Sequence, residues 1–254
     1  MRPMTLDSLP PFDQTALLLD LDGTLVDLAP RPDEVVVAPG LVDSLRQLRA
    51  RLQDAVAIVT GRPIETVDSL LGDAPRAVAG EHGGVVRFDP AAAPERPDLP
   101  APPPAWLSAA ERLVAEHPGA LLERKARGFA LHYRAVPTAE AVFRDTLLRL
   151  LEGHEHFQLL PAHMLWEVRP RGADKGRAVD TLMQRPPFAG RRPVFIGDDV
   201  TDEDGMAVAR RMGGAGLQVA PAFGTPAGVR SWLAEAARTG AWPPLPPPSP
   251  GELP

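Results

Sequence analysis

A run of six residues near the N-terminus limits the fold more than any other feature. Thr15–Asp20, TALLLD, is apolar at both odd and even positions until its last residues. A strand covered on one face alternates apolar and polar side chains, so a run without alternation marks a strand covered on both faces. Val56–Thr60 (VAIVT) and Val194–Gly197 (VFIG) repeat the pattern, and Ala77–Glu81 and Leu217–Ala220 are further short versions. Helical patterns lie between them. Leu41, Leu45, Leu48 and Leu52 recur at helical spacing after Pro39-Gly40, and Ile64, Val67, Leu70 and Leu71 follow Pro63, a residue tolerated in a first helical turn. Strands buried on both faces and alternating with helices predict an α/β protein with a doubly wound parallel sheet.

The rhythm breaks after Gly83-Gly84. A proline-rich stretch, Pro90–Pro104, leads to a helix over about Trp106–His117 and a hairpin of Leu121–Arg127 and Phe129–Arg134 turning at Gly128. A helix over about Ala139–Leu151 and a strand pair, His156–Leu160 and Met164–Arg169, follow. This is an α+β order. The α/β rhythm resumes at Lys175 and ends with a helix near Arg238. The expected architecture is a core of residues 1–86 and 170–240, with an α+β cap of residues 87–169 inserted into it. Proline lacks the backbone donor and fixes φ, so residues 241–254 read as a disordered, partly polyproline II tail.

With 254 residues the chain is long enough to bury a core without staples. It has no cysteine, which removes disulfides, thiolate metal ligands and cysteine nucleophiles. A net charge of −6 argues against nucleic acid and anionic membrane as partners. No apolar stretch approaches the ~20 residues of a membrane span, and the first residues lack a signal-peptide core. A cytoplasmic protein is the expectation, with a monomer as the default.

The chemistry gathers where buried strands end. Asp20-Leu21-Asp22-Gly23-Thr24-Leu25 closes the first strand. Residues i and i+2 of extended chain point the same way, so Asp20 and Asp22 converge on one spot. Gly23 allows a sharp exit in which backbone amides face an anion. Open α/β sheets bind ligands outside the carboxyl ends of their strands, where this pair lies. Gly197-Asp198-Asp199-Val200-Thr201-Asp202-Glu203-Asp204 follows another buried strand. Five carboxylates in seven residues repel unless a cation or a basic partner intervenes, and oxygen ligands suit Mg2+. Asp198 reads as the metal-facing residue. Asp202, Glu203 and Asp204 read as acids favouring a helix N-terminus, and Asp199 stands between the two roles. Thr60, followed by Gly61-Arg62, ends the second strand, and Lys175 opens a helix behind Asp174. A hydroxyl and an ammonium so placed complete a phosphate site.

In this order, DLDGTL, VTGR, the lysine of ADKG and GDD resemble the motifs of the haloacid dehalogenase (HAD) superfamily of aspartyl-phosphate enzymes. Glu81-His82-Gly83, Glu123-Arg124-Lys125, His132-Tyr133-Arg134, Glu167-Val168-Arg169-Pro170 and the extended GDDVTDED are similar to marks of its trehalose-6-phosphate phosphatase family. The proline-rich stretch is not part of that pattern. The resemblance implies a Rossmann-like core and an Mg2+-dependent phosphatase of trehalose biosynthesis acting on a small-molecule sugar phosphate. Asp20 would be the nucleophile and Asp22 the acid and base. Asp20, the backbone carbonyl of Asp22 and Asp198 would hold the metal, and Thr60 and Lys175 the phosphoryl oxygens. Glu123, Lys125 and Glu167 would grip the distal glucose, with Arg62, His82 and Arg134 near the phosphate or the proximal sugar. The alternatives are a phosphatase for sucrose phosphate or mannosyl-phosphoglycerate, and a non-catalytic sugar-phosphate sensor. A receiver domain needs neither the second aspartate nor the cap.

Overall fold

In a computed structural model of the chain, residues 9–29, 34–96, 98–125, 127–162 and 164–245 are described. The chain divides into two compact units, residues 1–95 with 174–254, and residues 96–173. In chain order the first unit opens with β1 (Thr15–Leu19), α1 (Leu41–Arg51), β2 (Val56–Val59), α2 (Ile64–Leu71), β3 (Ala77–Gly80) and β4 (Val85–Arg87). The second unit holds α3 (Pro104–Glu116), β5 (Leu121–Arg124), β6 (Phe129–His132), α4 (Glu140–Leu151), β7 (Phe157–Ala162) and β8 (Leu165–Pro170). The first unit is completed by α5 (Lys175–Met183), β9 (Arg192–Gly197), α6 (Asp202–Arg211), β10 (Ala215–Gln218), α7 (Val219–Phe223) and α8 (Pro226–Thr239).

The first unit is a six-stranded sheet of order β10-β9-β1-β2-β3-β4. Its strands pair in parallel except β4, which runs antiparallel to β3. The apolar runs explain the layering. Along β1, Leu17 and Leu19 enter one core and Ala16 and Leu18 the other, all fully buried. Val56 and Ile58 part from Ala57 and Val59 in the same way on β2, as do Val194 and Ile196 from Phe195 on β9. Leu41, Leu45 and Leu48 of α1 and Val229 and Leu233 of α8 fill the first core. Ala178, Val179 and Leu182 of α5 and Met206 and Ala209 of α6 fill the second. Each fully buried leucine contributes about 1.5–3 kcal/mol, so the unalternated strands are the main reason this sheet is covered on both faces.

Three expectations need correction, and a fourth lies partly outside the described residues; the first is the return to the first unit, which comes at Asp174 and not at residue 170, because Pro170 still belongs to β8. The chain does not leave the first unit at residue 86: β4 pairs with β3, and Val86 and Glu95 exchange backbone hydrogen bonds, keeping the chain in place to Glu95. Leu217–Ala220 is not one strand, because β10 ends at Gln218 and α7 begins at Val219. Of the expected tail, residues 241–245 are folded onto the first unit. Trp242 stacks on Trp232 at 4.8 Å between ring centroids and meets Phe12 edge-on at 4.7 Å. The rest of that tail lies outside the described residues.

The second unit is an antiparallel sheet of order β5-β6-β8-β7. Phe129, Leu131, Val168 and Phe157 pack with Trp106, Ala110 and Leu113 of α3 and Phe143 and Leu147 of α4. Register places Glu123, Ala130, Glu167 and Leu160 in one row across the four strands. Strand residues alternate between faces, so this row stands on the face away from α3 and α4. Among the described residues no helix is long and apolar enough to cross a membrane.

Candidate active site

The carboxyl end of β1 carries the first aspartate into a tight turn. Asp20 is held to β9 by its N–H, which donates to the Ile196 carbonyl at 2.9 Å. Leu21 and Leu25 are fully buried and anchor the turn, and Leu21 O accepts from the N–H groups of Leu25 and Val26 at 2.8 and 3.0 Å. Gly23 sits at φ +74°, and a Cβ there would lie 2.1 Å from Asp198 Oδ2. Only glycine lets the first aspartate loop meet the acidic loop after β9 this closely.

The Asp20 side chain is buried, with both oxygens engaged. Oδ1 accepts from Lys175 Nζ at 2.7 Å and Oδ2 from Thr24 Oγ1 at 3.1 Å. The same hydroxyl lies 3.4 Å from Asp198 Oδ1. Lys175 opens α5, whose N-cap Asp174 accepts from the Arg177 N–H at 2.7 Å. The Lys175 ammonium is buried and lies 2.6 Å from Asp202 Oδ1. Burial acts against its charge, but attraction to Asp20 and Asp202 outweighs this and raises its pKa well above the ordinary lysine value.

Asp202 is the residue that sequence reasoning placed differently. It is the first residue of α6, as expected of a helix N-terminal acid, but it is fully buried. Besides holding Lys175, its Oδ2 accepts from the N–H groups of Asp198 and Asp199 at 3.1 and 3.0 Å. It lies so close to Gly197 that a Cβ there would come within 2.3 Å of its Cγ. Glu203 and Asp204 are exposed and fit the helix-terminus role. Asp199 is also exposed, and its Oδ1 accepts from the Val200 N–H. A signal for Asp202 existed: Gly197 and Asp202 flank the acidic loop, and a glycine there leaves room for a carboxylate to fold back.

Asp20, Asp198 and Asp202 present oxygens that all lie within 4.8 Å of one another. Burial, with the Asp20 carboxyl's neighbours Asp202 and Asp198, raises that carboxyl's pKa well above its usual range against the pull of Lys175. Burial and the charges of Asp202 and Asp199 push Asp198 up to about 6. Three crowded carboxylates against one ammonium leave an excess of negative charge that a divalent cation with oxygen ligands would neutralise. The donor set therefore fits such a cation. The Asp22 side chain is not in this cluster. Its two oxygens accept from Arg62 Nε at 2.6 Å and Arg62 NH2 at 2.7 Å.

Thr60 ends β2 and is buried. Its hydroxyl accepts from the Arg62 N–H at 3.2 Å, and its carbonyl accepts from the His82 N–H at 2.9 Å. The Arg62 carbonyl accepts from the Glu81 N–H at 3.0 Å. Glu81 and His82 both take positive φ, 51° and 56°, and a Cβ on Gly61 would lie 2.6 Å from His82 Nε2. The Glu81-His82 turn is thus built against the Thr60-Gly61-Arg62 loop.

The second unit gathers its own candidates. Lys125 Nζ lies 2.7 Å from Glu167 Oε1, with both side chains buried. His132 Nε2 lies 2.9 Å from Glu123 Oε2. Burial would raise the Glu123 pKa, but the His132 hydrogen bond and the charge of Lys125 outweigh it and hold it below the usual range. Arg134 lies beyond the end of β6 and is exposed. The resemblance gave roles to Glu123, Lys125 and Glu167, whereas His132 and the buried Arg169 were quoted within its marks but given none. Both could have been found by parity, since Arg169 stands two residues from Glu167 on β8 and His132 two from Ala130 on β6.

A family model described as trehalose-phosphatase matches residues 18–229. The chain is 37% identical to "Trehalose-6-phosphate phosphatase" of Escherichia coli K12 over 218 residues, covering 85% of this chain and 80% of that protein. It is 38% identical to "Probable trehalose-phosphate phosphatase" of Sinorhizobium fredii over 218 residues, covering 83% and 79%. Among solved structures, the C-terminal domain of Candida albicans trehalose-6-phosphate phosphatase aligns with a TM-score of 0.72 at 18% identity, covering 92% of this chain and 95% of that one. At that identity the likeness shows the fold.

Proposed function

Because the chain belongs to the trehalose-phosphatase family, we propose that it is a phosphoric monoester hydrolase that converts trehalose 6-phosphate and water to trehalose and phosphate. The observation that carries the reading is the buried Lys175, gripped between Asp20 and Asp202 at the carboxyl end of β1, with Asp198 turned onto the same spot. A lysine so placed lets a carboxylate stand in a dry site and still meet an anionic phosphate.

Asp20 attacks phosphorus through a carboxylate oxygen. The bond from phosphorus to the sugar oxygen breaks, and an aspartyl-phosphate forms. Asp22 gives its proton to the departing sugar oxygen, then takes one from the water that splits the aspartyl-phosphate. Thr60 and Lys175 hold phosphoryl oxygens and stabilise the charge that develops there. We assign Mg2+ to the carboxylate cluster. Held by Asp20, the backbone carbonyl of Asp22 and Asp198, it would shield the nucleophile from the phosphate's charge. Glu123, Lys125 and Glu167 supply paired acceptors and a donor for glucose hydroxyls, a chemistry that rejects substrates lacking them. We assign contact with the sugar or the phosphate to Arg134 and His82.

The test is phosphate release from trehalose 6-phosphate, sucrose 6-phosphate and glucose 6-phosphate, with and without Mg2+, using Asp20→Asn as the blank. Selective, Mg2+-dependent turnover of the first is expected. Turnover of another sugar phosphate would keep the core chemistry and discard the roles of Glu123, Lys125 and Glu167. No turnover of any would sink the phosphatase reading.

A further inference from the structure

We propose that Arg62 acts on the reaction through Asp22: it is a positioning residue that fixes the acid–base carboxylate, and not a ligand of the substrate. The inference rests on the reading of Asp22 as acid and base.

Three observations converge on it. First, Arg62 meets Asp22 as a fork, with Nε 2.6 Å from one oxygen and NH2 2.7 Å from the other. Two parallel bonds fix the plane and rotation of a carboxylate, as a single point charge cannot. Second, both partners are largely shielded, with side chains 14% and 29% exposed for Arg62 and Asp22. The pair is thus less screened than a surface ion pair. Third, Arg62 is itself fixed from behind. Its N–H donates to the Thr60 hydroxyl and its carbonyl accepts from Glu81. Gly80 is required here, since a Cβ would lie 2.9 Å from the Arg62 carbonyl oxygen. The left-handed residues Glu81 and His82 carry the chain through this contact, and the His82 ring closes over Gly61. The Glu81-His82-Gly83 segment thereby acquires a function: it holds the backbone of the residue that holds the acid.

The arrangement suits both half-reactions. As a carboxylate, Asp22 accepts from both arms of the fork, one bond to each oxygen, which leaves each oxygen a further lone pair able to take a proton from the attacking water. Once it has taken the water's proton onto one oxygen, the other oxygen still accepts from the guanidinium. The carboxyl plane is therefore kept while the proton moves between Asp22, the water and the sugar oxygen, with no other proton carrier required.

The test compares leaving groups. A sugar oxygen needs a proton to leave, whereas p-nitrophenolate leaves without one, so loss of a positioned acid is felt more in the first case. Steady-state turnover of trehalose 6-phosphate and the rapid-mixing burst of p-nitrophenol from p-nitrophenyl phosphate are measured for Asp22→Asn, Arg62→Gln, Arg62→Lys and the double variant Asp22→Asn/Arg62→Gln. General acid–base help is worth roughly 10²–10⁴-fold, so Arg62→Gln is expected to lower kcat on the sugar phosphate by about 10²-fold. Its KM should move much less. The loss in the p-nitrophenol burst should be smaller by about tenfold or more. The double variant should be no worse than Asp22→Asn alone, as residues acting as a unit are non-additive. Arg62→Lys, which keeps charge without the fork and perturbs folding less, should stay impaired in kcat. A raised KM with kcat preserved, equal losses on both leaving groups, or multiplicative losses in the double variant would overturn the inference. If Asp22→Asn itself shows no leaving-group dependence, the acid–base reading of Asp22 fails, and the inference with it.

Discussion

At the scale of single residues, Asp202 does the most with the least exposure. One carboxylate accepts from an ammonium and from two backbone amides. It thereby ties Lys175 to the loop that carries Asp198. Its charge also crowds Asp20 and Asp198, so removal relieves some repulsion while taking the acceptor from two backbone donors and leaving the buried ammonium with Asp20 as its one remaining ion-pair partner. Breaking a buried pair from one side costs about 3–5 kcal/mol. Asp202→Ala is therefore expected to lose about 3 kcal/mol, the low end of that range, by urea denaturation without added cation. Asp202→Asn keeps an acceptor and should lose less. An unchanged midpoint for Asp202→Ala would show that Lys175 and the loop hold their places without it.

At the scale of elements, the face formed by β5, β6 and β8 is a polar surface built on an apolar one. Phe129, Leu131 and Val168 face α3 and α4, and Glu123, His132, Lys125 and Glu167 take the other side. The two ion pairs differ in exposure, and the more open one is testable by pH. The Glu123 pKa is lowered in the folded chain. A lowered carboxyl adds stability that is present above its unfolded value, 4.5 here, and is lost as pH falls through the folded value. The difference in unfolding free energy between the unaltered chain and His132→Ala should therefore be level from pH 7 to about 5 where Glu123 titration is concerned, and shrink below 4.5. A difference that grows as the pH falls below 4.5 would contradict the lowered Glu123 value.

At the scale of the whole molecule, both ends of the described chain meet in one aromatic cluster of the first unit. Trp242 lies between Trp232 and Phe12, and its Nε1 donates to the Pro10 carbonyl at 3.1 Å. Trp232 Nε1 donates in turn to the Pro243 carbonyl at 2.9 Å. A cluster that joins segments 232 positions apart reports on the folding of the whole first unit. Removing a core tryptophan costs about 3–5 kcal/mol. Trp242 is half-buried, so Trp242→Ala should cost about 2–3 kcal/mol, a fall in Tm of roughly 4–12 °C. Trp242→Phe should recover part of it. A melting temperature unmoved by Trp242→Ala would mean that the C-terminal segment adds nothing to the core.

The sequence alone determined what depends on neighbours along the chain. Apolar runs without alternation marked strands buried on both faces, and β1, β2 and β9 are such strands because burial parity is a local property. The turn at Gly23 was legible for the same reason, as were Glu123 and Lys125, two residues apart and bound for one face; the convergence of Asp20 and Asp22 was not, because the Asp22 side chain pairs with Arg62 and stands outside the Asp20 cluster. Tertiary structure decided what depends on elements meeting. Asp202 lies 27 positions from Lys175 and Arg62 lies 40 from Asp22, and no periodicity links such pairs. An acid at a helix start and an arginine after a strand have ordinary roles when read alone. Only the packing of α6 against β9, and of the β2 exit against the first aspartate loop, turned one into the holder of a lysine and the other into the clamp on a carboxylate. Residues 241–245, the described part of the expected tail, were misread for a related reason. Their prolines exclude helix and sheet by local sterics, but Trp242 finds its partners only once α8 and the N-terminal segment are folded beside it.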